Sequence, residues 1–196
     1  MHIQIGSPNW YAELINATKQ LGEVFWSRFT PVGRDALEKL ELQIHRKLPP
    51  EFKEFYHLVG YGNFAPGDGF YSPDDIVTCL GAPIYFVRGS LMAGKEWATR
   101  EQHQRLWISR GRENPNPYLF TDEILTLDGI KLYDLLQFGA NGSGSYHQLY
   151  VGPEPAPFRY CLLTESGTFE NIAQSFSEAL DGMIEFHLSN PSRKAA

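Results

Sequence analysis

The C-terminal part of the chain alternates short β-type runs with clusters of turn residues, and this rhythm limits the fold more than any other feature. Leu135–Phe138, Tyr146–Val151, Phe158–Leu163 and Thr168–Ile172 are rich in aliphatic and aromatic residues. Asn141–Gly144, Gly152–Pro157 and Glu165–Gly167 separate them. Turn chemistry at this spacing predicts an antiparallel meander. Glycine and proline together make up 31 of the 196 residues, which also argues against a plain helix bundle.

The N-terminal half reads as helical. Ser7-Pro8 supplies a cap and a first-turn proline for a helix that Gly22 ends. Residues 23–33, with Val24, Phe25, Trp26 and Phe29, form an apolar connector packed onto the core. Leu37, Leu40, Ile44 and Leu48 recur as one helical stripe over Arg34–Lys47. Leu48-Pro49-Pro50 breaks that helix, and Pro50 starts the next. Its apolar face is Phe52, Phe55, Tyr56 and Val59, and Gly60 stops it. Residues 60–70 carry four glycines and a proline and read as a loop. Ser72-Pro73 opens a short helix over 73–78, and Ile84–Val87 reads as a strand.

Residues 88–113 carry six basic against three acidic side chains, while the rest of the chain sums to −9 of the total −6. A helix is expected over 98–107, with Thr99 and Gln102 as a capping box. Trp97 and Trp107 read as aromatic anchors in the core rather than as stacking platforms for nucleic acid, given the acidic remainder. Asn114–Pro117 is a loop. Tyr118–Phe120 and Ile124–Leu127 are short strand candidates, with Asp128-Gly129 a turn. Ser175 and Glu178 form a capping box for a final helix that buries Phe176, Leu180, Met183, Ile184 and Leu188.

Few chemical motifs stand up. Gly89–Glu96 nearly matches a phosphate-binding loop, but Glu96 replaces the hydroxyl residue and no βαβ rhythm surrounds it. Asn141–Ser145 reads as a hairpin turn and not as a nucleophile elbow. None of the six histidines has metal-ligand spacing, and His57 and His147 read as polar edge residues rather than bases. The acidic pairs Asp74-Asp75 and Asp122-Glu123 fall at expected helix starts or turns. Cys79 and Cys161 read as two reduced, buried thiols. No stretch of about 18 apolar residues exists, and Met1–Gln4 is not a secretory leader, so the expected location is cytoplasmic.

The order of the pieces carries more information. Leu37–Ile44 leads into Leu48-Pro49-Pro50-Glu51-Phe52-Lys53-Glu54-Phe55-Tyr56. Gly60-Tyr61-Gly62-Asn63 follows, then Phe138–Tyr146, a strand pair, and Ala173–Leu180. Over roughly residues 34–188 this resembles the SUKH superfamily, which includes fungal cell-wall-assembly regulators and bacterial immunity proteins of polymorphic toxin systems. Gly60–Asn63 departs from that family's Asn-Gly-Gly turn.

The resemblance implies a single SUKH-like α+β domain, a twisted, mainly antiparallel sheet flanked by helices. Residues 1–33 would be an N-terminal helical extension, 34–190 the domain with 88–130 inserted, and 191–196 a polar tail. It also implies a non-enzymatic protein-binding module without cofactor or metal. The expected partner is a toxin domain, nuclease-like, with neither membrane nor nucleic acid as a target. The alternative is a regulatory scaffold in cell-wall assembly or signalling. A small hydrolase or nucleotide-binding enzyme is a third class, for which no coherent triad, metal set or intact phosphate loop is present. Tyr61, Asn63, Phe64, Asp68, Asn141, Ser143 and Tyr146 are the expected partner contacts, as exposed loop residues beside a sheet.

Overall fold

The computed structural model describes residues 3–22, 25–84, 100–111 and 126–190. The helices are α1 (Trp10–Ala17), α2 (Arg34–Ile44), α3 (Pro50–Leu58), α4 (Pro73–Thr78), α5 (Arg100–Gly111) and α6 (Phe176–Ser189). The strands are β1 (Phe29–Thr30), β2 (Tyr61–Ala65), β3 (Asp68–Phe70), β4 (Thr126–Leu127), β5 (Ile130–Lys131), β6 (Leu135–Asn141), β7 (Tyr146–Tyr150), β8 (Tyr160–Leu163) and β9 (Phe169–Ala173). Seven strands form one sheet in the order β1–β2–β3–β6–β7–β8–β9, antiparallel at every step. The β4–β5 pair stands apart, turned by Asp128-Gly129. This is the expected α+β class, and the predicted meander is β6 to β9.

The helix boundaries follow from local chemistry. The stripe Leu37, Leu40, Ile44 and Leu48 is buried, and His45 ends α2 in the left-handed region, earlier than Lys47. Pro50 takes the first position of α3. Ser72 Oγ accepts from the Asp75 amide at the start of α4. Ser175 Oγ accepts from the Glu178 amide at the start of α6, while Glu178 reaches back one residue past the cap to the Gln174 amide, 2.8 Å away. The first helix begins two residues after Pro8, and its cap residue Asn9 makes no side-chain cap bond.

Residues 61–70 are not a loop. They form the β2–β3 hairpin, turned at Pro66-Gly67. Glycine weakens a strand in general, but here it is required. A Cβ on Gly69 would collide with the Gly62 carbonyl oxygen, and one on Gly139 of β6 would collide with that of Gly69. The three strands approach so closely that only a bare backbone fits. Ile84 is also corrected: it lies in a helical turn, not a strand. The remainder of that strand, the Gly89–Glu96 match, Trp97, Thr99, Asn114–Pro117, Tyr118–Phe120 and Asp122-Glu123 fall outside the described residues.

One hydrophobic cluster unites the molecule. Phe52 and Tyr56 of α3 stack at 4.2 Å, and Phe52 meets Phe138 of β6 and Phe176 of α6 edge-on at 5.2 and 5.4 Å. Helix α6 also packs on β8 and β9. Trp107 of α5 is fully buried and donates to the Leu135 carbonyl, so it is the expected core anchor. The N-terminal segment shares this cluster through Ile3, Ile5, Trp10 and Leu14. Its Ile3 and Ile5 amides donate to Asp181 and Ser177 of α6. Among the described residues no helix is long and apolar enough to cross a membrane.

Candidate functional site

Helix α6 lies over the sheet, and a groove of about 970 Å³ opens between the helix, the edge strand β9 and the ends of β3, β6 and β7. Amphipathic spacing sets the helix side of this groove. Phe176, Leu180 and Ile184 face the core, and the next position of that stripe is His187, also buried. Glu178, Asp181, Glu185 and Phe186 line the groove from the same helix. Phe186 and Ile172 of β9 are 45% and 52% exposed, two of the few large apolar side chains left in solvent among the described residues.

The floor is polar. Asp68, at the start of β3, is buried. Its Oδ1 lies 3.7 Å from His147 Nε2 and its Oδ2 lies 3.4 Å from His187 Nε2. His147 Nδ1 is 2.8 Å from the Tyr160 hydroxyl. Burial, with smaller contributions from Cys161 and Asp68, holds the Tyr160 phenol well above the usual tyrosine range, so it stays a hydroxyl. His187 in turn stacks on Phe64 at 5.1 Å with 25° between the rings.

The expected contact residues divide. Asp68, Asn141 and Ser143 line the groove. Asn141 is also structural: its Oδ1 accepts from the Ser143 amide, the Ser143 hydroxyl and the Ser145 amide, folding the β6–β7 turn. Phe64 and Asp68 are corrected from exposed loop residues to buried strand residues, because the hairpin draws them inward. Tyr61, Asn63 and Tyr146 sit on strands outside the groove lining, with Asn63 exposed and the two tyrosines half-buried. His147 is corrected from an edge residue to a buried one, while His57 is half-buried with Nδ1 3.0 Å from the Val32 carbonyl. His187, Tyr160, Ile172 and the α6 carboxylates were not among the expected contacts. The i, i+4, i+7 relation of Leu180, Ile184 and His187 is the signal that could have found the histidine.

The electrostatics of the lining are one-sided. Asp68, Glu178, Asp181 and Glu185 contribute carboxylates, and the lining contains no lysine or arginine. Part of that charge does structural work: Asp181 holds the Ile3 amide and Glu178 the Gln174 amide. Among the described residues no group of three or more His, Cys, Asp or Glu side chains is arranged to hold a metal ion.

Comparison with curated proteins gives no match, and neither does comparison with solved structures. The model of the SMI1 / KNR4 family (SUKH-1) matches residues 31–182, from just before α2 into the middle of α6. With a mainly antiparallel sheet, its flanking helices and a family match over most of its length, this chain belongs to the SMI1 / KNR4 family (SUKH-1).

Proposed function

We propose that this chain is a non-catalytic protein-binding module, an immunity protein that captures and neutralises a bacterial toxin domain of nuclease type in the cytoplasm. The groove is the observation that carries the reading. Exposed Ile172 and Phe186 flank a lining with four carboxylates and no lysine or arginine. Exposed apolar side chains rimmed by charge mark contact surfaces. A negative surface suits a partner that is positively charged because it handles nucleic acid, and opposite charges raise the rate of encounter. Family membership supports the same reading. The engagement of Asp181 and Glu178 in holding backbone amides fits a binding face better than an acid–base pair.

The test is capture with tagged full-length protein at low and high salt, followed by co-expression with what is captured. One stoichiometric, basic toxin domain, released by salt and harmless when co-expressed with this chain, is the expected result. Several unrelated partners would replace the immunity reading with that of a regulatory scaffold. A captured partner whose toxicity persists would refute neutralisation.

A further inference from the structure

We propose that Asp68 is the seat for a cationic side chain, an arginine or lysine that the protein partner projects into the groove between α6 and the sheet. The proposal rests on the protein-capture reading and names the chemistry that the groove selects.

Asp68 is 7% exposed, and its carboxylate accepts no hydrogen bond among the described residues. The two nearest groups, His147 Nε2 and His187 Nε2, stand at 3.7 and 3.4 Å, beyond the usual N–H···O range of about 2.7–3.2 Å. A buried carboxylate without close donors carries a desolvation cost that a paired cation would offset. No lysine or arginine of the groove lining supplies one.

A second, independent observation lies beside it. His147 is 3% exposed and its Nε2 has no hydrogen-bond partner. The site therefore holds an under-satisfied acceptor and an under-satisfied ring nitrogen side by side, both at the groove floor. The remaining carboxylates of the lining, Glu178, Asp181 and Glu185, add negative potential along the way in. Phe186 and Ile172 offer apolar surface to the aliphatic stem of a long basic side chain, with Phe186 also able to meet the cation over its ring. An anion is disfavoured by the four carboxylates, and an apolar side chain would leave Asp68 unpaired.

The test uses the full chain and two blocked heptapeptides, one of arginine and one of citrulline, which has nearly the same shape and no charge. Calorimetry measures affinity, and the imidazole Cε1–H signals report position. The arginine peptide should bind and move the His147 and His187 signals, while citrulline should weaken binding by about tenfold or more. Asp68→Asn should weaken it similarly, and Glu38→Gln, an exposed acid on α2, should leave it unchanged. Equal binding of the two peptides, or shifts confined to other histidines, would overturn the proposal. If Asp68→Asn does not fold, the comparison of peptides on the wild-type protein still decides. A dimer that sedimentation detects and that Asp68→Asn dissociates would place a second copy in the groove and overturn the partner assignment. Toxin capture without an arginine effect would refute only the seat, and an arginine effect without a toxin partner would refute only the immunity reading.

Discussion

Asp68 Oδ2 lies 3.4 Å from His187 Nε2, which ties the start of β3 to the last turn of α6 across 119 positions of sequence. His187 is buried and stacked on Phe64. Its neighbour Phe186 meets the His187 ring edge-on at 5.5 Å and is exposed.

Truncating the two should therefore separate stability from recognition. His187→Ala removes a buried ring and leaves Asp68 with one imidazole fewer, at a cost of about 1–3 kcal/mol. Phe186→Ala should cost less than about 0.5 kcal/mol. Urea unfolding of both variants checks this, and equal costs would contradict the burial.

Glu41 is the acid whose loss should be felt as pH falls. Burial is the largest single influence and would raise its pKa, but the Leu48 amide at 2.9 Å together with Lys47 and Lys53 outweighs it, and the net direction is down from 4.5. A depressed carboxylate contributes stability above its unfolded pKa and loses it as pH falls through the folded value. Wild-type stability should thus fall below about pH 4.5. Glu41→Gln should be about 1–3 kcal/mol less stable at pH 7 and show a shallower acid limb, measured by urea unfolding across that range.

Two glycines should respond oppositely to alanine. Gly69→Ala places a methyl group against the Gly62 carbonyl and should destabilise severely, by about 3 kcal/mol or more. Gly182, inside α6, has open space where its Cβ would stand, so Gly182→Ala should stabilise by about 0.5–1 kcal/mol. Thermal melting distinguishes the two signs.

The legibility of the chain follows the range of the forces involved. Helices α2, α3 and α6 were readable because their stripes, prolines and serine caps act within a few residues. The meander was readable from its turn residues. The β2–β3 hairpin was not, since Gly62 and Gly69 look like breakers until neighbouring backbones are in place. The groove floor was hidden for the same reason. Asp68, His147 and His187 come from three distant elements, and only the assembled sheet brings them together.

Both cysteines are free, and they should differ in reactivity. Cys161 is fully buried, and burial pushes its thiol far up; Cys79 is half-buried, raised by burial and partly offset by Arg100. In native protein a thiol reagent should label Cys79 slowly and Cys161 not at all, and in urea it should label both. Rapid labelling of Cys161 in the native state would contradict the packing of β8.

The most direct measurement is the affinity of the captured partner for wild-type protein and for the double variant Ile172→Ala/Phe186→Ala, across a salt series. A basic partner whose binding weakens with salt, and weakens by about tenfold or more in the double variant, is what an acidic, apolar-rimmed groove predicts. Binding that is indifferent to both salt and the groove variants would contradict the account and place recognition elsewhere on the surface.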